Sequence, residues 1–146
     1  MQHSPSYTLL EAKNWQDYEL LDSGDGLKLE RFGIYVFARP ESQAMWSRAL
    51  SQKDWDAAHA VFQPTAEESG GHWDFKKKVD EKWVMSYPLT LIPDPSPSGR
   101  GELRFWVMPT PGRHLGVFPE TASHWDWLSE LIQRRANKDT NVLNLF

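Results

Sequence analysis

The sequence predicts an α+β fold in which an antiparallel, β-rich region comes first and a helix follows near the C-terminal end. Residues 27–32 alternate apolar and charged side chains, which is typical of a strand with one buried face. Residues 102–108, ELRFWVM, form an apolar and aromatic run of strand length. Residues 125–135 instead repeat apolar side chains at helical spacing. A chain of 146 residues is long enough for one well-buried domain.

The first strands are predicted from residues 18–38. This region begins with a short apolar run and continues through the turn-forming residues DSGDG, which tolerate positive φ. The alternating strand at 27–32 follows, and a β-branched and aromatic run ends before Pro40, which has no N–H to donate to a sheet. We therefore predict an antiparallel meander over residues 18–38.

The next region, between Pro40 and Pro64, predicts one or two short helices because its apolar residues recur at helical spacing. Asp54 is the candidate N-terminal cap of the second helix. Residues 64–72, rich in small and polar side chains, predict a loop. The apolar residues of the helical pattern are Ala44, Trp46, Leu50, Trp55, Ala58 and Phe62.

Two further strands are predicted at residues 73–75 and 83–87, on either side of the lysine triplet 76–78. We interpret the triplet as the solvated end of a hairpin rather than as a phosphate clamp, because acidic residues follow it at once. Residues 89–92 predict a continuing strand. Residues 93–101, PDPSPSGRG, predict a loop because three prolines and two glycines cannot hold a regular element.

A C-terminal helix is predicted over residues 120–136, with Pro119 suited to its first turn and Asn137 to its end. Residues 141–146, NVLNLF, predict a final strand. An apolar strand at the very end of a chain is unusual, so we expect that the sequence was cut inside a larger fold. We also expect this segment to be poorly ordered or paired with another chain. The apolar stripe of the helix contains Trp125, Leu128, Leu131 and Ile132.

The predicted elements divide the chain into three parts. Residues 1–16 form an irregular lead-in, residues 17–108 form the β-rich domain, and residues 109–146 contain the C-terminal helix and final strand. We expect the meander to pack on the strands at 83–87 and 103–107, because one face of each strand is apolar.

The composition excludes several classes of protein. The net charge of -4 argues against a protein built mainly to hold nucleic-acid phosphates. The chain has no cysteine, so it forms no disulfide, zinc–thiolate site or cysteine nucleophile of its own. It has no apolar run of membrane-spanning length and no secretory signal, so we expect a cytoplasmic location and no membrane partner. Its eight Trp, seven Phe and four Tyr favour an aromatic core over a stacking platform for bases or sugars.

No catalytic residue is predicted from the residues alone. The turn at 24–26 is not followed by a helix that could hold a phosphate. Glu120 and Asp126 lie six residues apart on the predicted helix and face different sides, and no serine sits in a nucleophile elbow. The histidines show no helical i, i+4 pairing, so no metal site is predicted; they are His3, His59, His72, His114 and His124.

The segment from Thr110 to Trp127 is the candidate binding region. A rigid proline–glycine turn, a basic pair and small apolar residues precede a helix start there, which could wall a pocket for a flat or carboxylate-bearing ligand. The alternative is that its apolar residues belong to the core and its basic pair lies on the surface. The residues concerned are Arg113, His114, Leu115, Val117 and Phe118.

Four blocks of the sequence are distinctive: DYELLDSGDGLKLERFG at 17–33, FARP at 37–40, PTPGRHLGVFPETASHWDWL at 109–128 and NVLNLF at 141–146. They resemble the front part of a class I S-adenosylmethionine (SAM)-dependent methyltransferase. They are similar to the branch related to large-subunit ribosomal RNA cytosine methyltransferases. The resemblance covers most of residues 17–146.

The resemblance implies a β-rich domain ahead of a Rossmann-like catalytic domain, of which NVLNLF would be the first strand. It implies SAM as the cofactor, RNA as the partner, and the remainder of the methyltransferase domain as the structural partner of this chain. The HLGVFPE segment would wall the cofactor pocket. The implied cofactor-binding residues are Arg113, His114, Gly116, Val117, Phe118 and Glu120.

The sequence also departs from that family. It has no glycine-rich turn after the final strand, no acidic residue ending a second strand, no Asp-Pro-Pro-type motif and no cysteine for a covalent adduct. We therefore expect an N-terminal methyltransferase domain that positions substrate and walls part of the cofactor pocket, with no catalytic residue of its own. The alternative is an aromatic-rich, non-catalytic module that binds RNA or protein.

Overall fold

The computed structural model describes residues 9–12, 15–66, 70–88 and 102–134. The described elements are the strands β1 (Tyr18–Gly24), β2 (Leu27–Phe32), β3 (Tyr35–Pro40), β4 (Ala60–Pro64), β5 (Gly71–Phe75), β6 (Trp83–Pro88) and β7 (Glu102–Val107), and the helices α1 (Gln52–Asp56) and α2 (Ala122–Arg134), the second preceded by a 3-10 turn at Pro119–Thr121.

The strands form two sheets. The larger sheet has the order β1-β2-β3-β4-β5, in which β3 and β4 are parallel and the other neighbours are antiparallel. The smaller sheet is the antiparallel pair β6-β7. The predicted α+β class and the predicted meander are therefore confirmed, because the first three strands occupy residues 18–40 and pair in sequence order.

The turn between β1 and β2 depends on two residues with positive φ. Asp25 has a φ of 51° and Gly26 a φ of 76°, which is the geometry of a tight two-residue hairpin turn. Gly24, just before them, is required for a different reason. A Cβ atom on Gly24 would lie 2.5 Å from the backbone nitrogen of Arg48, so the absence of a side chain lets the 47–48 backbone approach the hairpin.

A β-bulge in β1 changes which side chains face each side of the sheet. Leu20 pairs with Glu30, whereas Asp22 pairs with Leu29, so Leu21 is the additional residue. Because paired residues share a face and Leu29 and Glu30 are consecutive, the bulge places Leu20 and Asp22 on opposite faces.

Asp22, which follows the bulge, binds the segment 41–59 that connects β3 to β4. Its carboxylate accepts hydrogen bonds from the backbone N–H of Ala49 (3.1 Å) and Leu50 (2.9 Å) and from the Trp55 indole (3.0 Å). Burial by itself raises the pKa of the Asp22 carboxyl, but these bonds outweigh burial and hold the pKa below its ordinary value.

The prediction of helices between Pro40 and Pro64 is correct only for the short helix α1. Ser51, not Asp54, is the N-terminal cap; Asp54 is the third helical residue and accepts a bond from the Ser51 N–H at 3.1 Å, completing a capping box. Phe62, assigned to a helix, lies in β4 opposite Trp73. Pairing with β5 fixes this segment as a strand despite its helical spacing.

The hairpin predicted around the lysine triplet 76–78 is also wrong. The two flanking strands exist, but β5 belongs to the large sheet and β6 to the small one, so the triplet starts a connection between sheets. All three lysines are exposed, as expected. Lys76 pairs with Asp74, and the Lys77 ammonium donates to the Ala57 carbonyl.

The main core lies between the two sheets and contains residues from both. The Phe37 ring lies parallel to the Trp83 ring at 5.8 Å between centroids, with an interplanar angle of 6°. The expectation that the meander packs on the strands at 83–87 and 103–107 is confirmed. The buried residues of this core are Trp15, Phe32, Tyr35, Phe37, Ala60, Met85, Tyr87, Val107, Leu115, Val117 and Ala122.

The aromatic residues are divided between core and surface. Trp15 and Trp55 are buried, and Trp73, Trp83 and Trp125 pack against the main core. Most of the tryptophans are therefore core residues, as the sequence favoured. The exposed ones are Trp46, Trp106 and Trp127.

Helix α2 confirms the predicted C-terminal helix and docks through its first turns. Trp125 lies 5.3 Å from the Tyr87 ring and 5.2 Å from the Phe105 ring, and the Tyr87 hydroxyl donates to Asp126 at 2.5 Å. Leu128 is 42% exposed, so the apolar stripe is only partly covered.

The predictions for residues 89–101, for Asn137 and for the strand at 141–146 lie outside the described residues. Within the part of the chain that is described, no helix has the length and apolar character needed to span a membrane.

Candidate functional site

The segment that follows β7 forms a tight loop anchored in the core. The Met108 N–H donates to the Leu115 carbonyl at 3.2 Å. The Thr110 N–H and hydroxyl both donate to the His114 carbonyl, at 3.1 and 2.8 Å. Leu115 and Val117 are buried in the main core. We call residues 108–118 the docking loop, because both of its ends are fixed and its tip projects over the large sheet.

Two side chains of the large sheet hold the tip of the docking loop. The Trp73 indole donates to the carbonyls of Thr110 (2.9 Å) and Gly112 (3.2 Å). The Arg39 guanidinium donates to the Arg113 carbonyl at 3.1 Å. Because these bonds end on backbone atoms, the side chain of Arg113 remains available to a ligand.

Arg39 is itself fixed by a buried ion pair with Glu30. Its Nε atom lies 2.5 Å from Oε2 and its Nη2 atom 2.9 Å from Oε1 of Glu30. The two residues are only 5% and 1% exposed. The Tyr18 hydroxyl donates to the same carboxylate at 2.9 Å, and burial followed by the charge of Glu30 raises the pKa of Tyr18. Tyr18 therefore remains a protonated donor.

A pocket of about 240 Å³ lies between this ion pair and the docking loop. Strand ends of the large sheet form one side and the docking loop with the 3-10 turn forms the other. Charges of both signs line it, and the Lys28 ammonium lies 3.6 Å from a carboxylate oxygen of Glu41. The lining residues are Lys28, Arg39, Pro40, Glu41, Ser42, Gln43, Arg113, His114, Phe118 and Glu120.

The structure brings four of the six sequence-predicted site residues to this pocket. They are Arg113, His114, Phe118 and Glu120. Gly116 is exposed in the docking loop with a φ of 87°, a left-handed conformation that favours glycine. Val117 is buried in the core and serves as an anchor of the loop. Leu115 and Val117 therefore belong to the core, as the alternative interpretation of this segment held. Phe118 does not, because it is 49% exposed.

Both cations and a carboxylate act on His114 at this end of the pocket. Partial desolvation, then the cations Arg39 and Arg113, lower the pKa of His114, while Glu120 opposes them. The imidazole is therefore more readily neutral than an ordinary histidine. Its ring lies 5.1 Å from the Phe118 ring, so the two side chains form one continuous wall.

Sequence reasoning missed Lys28, Arg39 and Glu41 as pocket residues. All three lie in or beside the predicted meander and are far from the docking loop in the chain. One usable signal was the position of Arg39, which shares a strand face with Phe37 and therefore points a charge inward. Among the described residues, no group of three or more His, Asp or Glu is placed to hold a metal ion.

Comparisons with known proteins identify a similar solved structure. No family model matches the chain, and a search of curated proteins finds no match. A crystal structure of the SAM-dependent methyltransferase from Agrobacterium tumefaciens superimposes with a TM-score of 0.68 and 33% sequence identity. The match covers 94% of this chain and 41% of the methyltransferase chain. Nearly the whole chain is therefore similar, in sequence and in fold, to part of a SAM-dependent methyltransferase.

Proposed function

We propose that this chain is part of a SAM-dependent methyltransferase that methylates RNA, with ribosomal RNA as the expected target. The observation that carries the proposal is the 33% identity to a SAM-dependent methyltransferase over 94% of the chain. Because the chain spans 41% of that enzyme, we assign it part of the cofactor pocket and the positioning of substrate. We assign the chemical step to no residue of this chain.

The pocket beside the docking loop fits one end of SAM. SAM carries an α-carboxylate and an α-ammonium group at its methionine end, and the pocket offers Arg113 and Glu120 as side chains of opposite charge. Gly116 presents backbone without a side chain, so a ligand can approach closely there. We propose that Arg113, His114, Phe118 and Glu120 contact the cofactor, and that buried Val117 holds them in place. SAM supplies a methyl group on a sulfonium centre.

An RNA acceptor is supported by the resemblance and by the surface next to this pocket. A half-exposed tryptophan, Trp46, lies on the surface of the large sheet that adjoins this pocket. Exposed aromatic side chains stack with unstacked bases of single-stranded RNA. With no cysteine, this chain forms no covalent adduct with a cytosine.

Calorimetric titration with SAM tests this function. Residues 1–146 alone are expected to bind SAM no more tightly than about 1 mM, or roughly -4 kcal/mol. A few apolar contacts contribute about 2–4 kcal/mol to the binding free energy. The translational and rotational entropy that is lost on association costs at least as much. The polypeptide encoded by the complete reading frame is expected to bind in the micromolar range, and Phe118→Ala to weaken that binding about tenfold.

Phe75→Ala is the matched control, since Phe75 is also about half exposed but lies outside the pocket. It should leave SAM binding unchanged. Micromolar binding to residues 1–146 alone would contradict the assignment of a partial pocket. A complete reading frame that ends at Phe146, or one whose product binds no SAM, would favour the non-catalytic binding module instead.

A further inference from the structure

Helix α2 has apolar side chains on two opposite sides, and the core covers only one of them. Ala122 is buried and Trp125 packs against the main core. At about 100° of rotation per residue, Trp127 lies about 140° and Leu131 about 180° around the helix axis from Ala122. Leu128 lies between them on that side. Trp127 is 46% and Leu128 42% exposed. We call Trp127, Leu128 and Leu131 the outer face of α2.

Polar side chains border the outer face of α2. The Arg134 guanidinium lies 3.2 Å from a carboxylate oxygen of Glu130, and both side chains reach solvent. His124 is exposed as well. A helix at the surface of a domain normally carries polar residues on the side away from the core. An exposed apolar patch with a polar rim is instead typical of a surface that contacts another protein segment. Helix α2 therefore has the pattern of a helix that lies between two layers.

The size of the outer face limits the kind of partner it can hold. Helix α2 has 13 residues, so its outer side is about 20 Å long and about 10 Å wide, or about 200 Å². A stable complex between separate chains buries about 800 Å² on each partner. A segment of the same polypeptide needs much less area, because the covalent link keeps it at a high effective concentration. The area therefore favours a segment of the same polypeptide over a second copy of this chain.

The comparison with the Agrobacterium tumefaciens methyltransferase supplies the candidate segment. The match covers 41% of that chain, so more than half of that polypeptide lies outside the matched part. We propose that the outer face of α2 packs against the corresponding remainder of the complete polypeptide, with Trp127 and Leu128 as the apolar anchors. The proposal rests on the proposed function and adds the surface through which the two parts meet.

This contact also bears on the cofactor pocket. The 3-10 turn at Pro119–Thr121 joins the docking loop directly to α2, so the position of the helix fixes the position of the loop. A contact on the outer face of α2 would hold the side chains assigned to SAM against the rest of the enzyme. The outer face is thus a positioning surface for the pocket, although it contacts no ligand itself.

Hydroxyl-radical footprinting read by mass spectrometry tests the proposal, on residues 1–146 and on the polypeptide encoded by the complete reading frame. The oxidation rate of Trp127 is expected to fall at least about threefold in the complete polypeptide, because packing at the core of an interface excludes water. Trp106 is the matched control, since it is 60% exposed and lies in β7 rather than on α2. Its oxidation rate should be the same in both polypeptides.

Two variants of Leu128 separate packing from folding. Leu128→Asp should change the melting temperature of residues 1–146 by less than about 3 °C, because the side chain is already exposed there. In the complete polypeptide it should restore the fast oxidation of Trp127, since a carboxylate cannot be buried in an apolar contact without cost. Leu128→Met keeps the outer face apolar and should retain the protection.

Three outcomes would overturn the proposal. One is a Trp127 oxidation rate that falls no more than that of Trp106. Another is protection that survives Leu128→Asp. The third is a dimer of residues 1–146 in analytical ultracentrifugation that Leu128→Asp dissociates, since the outer face would then bind a second copy. Tight SAM binding by a complete polypeptide in which Trp127 stays unprotected would contradict this inference alone. Protection of Trp127 without SAM binding or methyl transfer would contradict the proposed function alone.

Discussion

Replacing Glu30 by Gln is expected to lower the free energy of unfolding by about 3–5 kcal/mol, the usual effect of leaving one charge of a buried pair without its partner. The Arg39 guanidinium is only 5% exposed, so bulk solvent does not replace the lost carboxylate. The same change weakens the hydrogen bond from the Tyr18 hydroxyl, because an amide oxygen is a weaker acceptor than a carboxylate. Urea denaturation at pH 7, followed by tryptophan fluorescence, measures the loss.

Glu19→Gln is the control for this variant. Glu19 pairs with Arg31 at 3.2 Å, but its side chain is 58% exposed, so its loss should change stability by less than about 1 kcal/mol. The double variant Glu30→Met with Arg39→Met should recover most of the lost stability, because two apolar side chains leave no buried charge. An effect of Glu30→Gln as small as that of Glu19→Gln would show that the pair does not fix the sheet.

Replacing Asp22 by Ala is expected to lower the free energy of unfolding by about 2–4 kcal/mol, because four donors lose one charged acceptor. We expect the Trp55 indole N–H to be affected most, because Trp55 is only 4% exposed. The N–H groups of Ala49 and Leu50 lose the same acceptor, so the segment 41–59, which connects β3 to β4, should become more mobile. Hydrogen exchange at these two amides should rise together with the loss of stability.

The pH dependence of stability provides an independent readout of Asp22. Its folded-state pKa is held below the ordinary value by the hydrogen bonds, so its contribution is complete above about pH 4, the ordinary range of an aspartate. The contribution is lost as the pH falls through the folded-state pKa. Asp22→Ala should lack this part of the acid transition. Asp25→Asn, a change in an exposed turn carboxylate, should retain it.

The strands that sequence reasoning predicted correctly are those whose pattern is local. The meander follows from alternation within 27–32 and from turn residues next to it, both of which act over a few positions. Strand β4 could not be recognised in this way, because Ala60 and Phe62 also fit a helical spacing. What decides between the two is pairing with β5, which is a tertiary interaction. The cap at Ser51 did have a local signal, the acidic residue three positions later.

The candidate site was likewise predictable only where its residues lie close together in the chain. One side of the pocket was predictable because Arg113, His114 and Phe118 lie within six residues of one another in a turn-rich segment. The other side comes from Lys28, Arg39 and Glu41, whose meeting with the docking loop depends on the register of β2 against β3 and on a hydrogen bond to the Arg113 carbonyl. Neither the register nor that bond is encoded in a short sequence window.

The large sheet consists of two locally closed pieces joined by one parallel pairing. The strands β1 to β3, and separately β4 and β5, connect neighbours along the chain, so each piece has a low contact order. The parallel pairs Phe37–Ala60 and Ala38–Val61 instead close the long segment 41–59. That closure must be reached before its contacts form. We therefore expect the meander and the β4–β5 hairpin to form first, and their union to set the folding rate of the sheet.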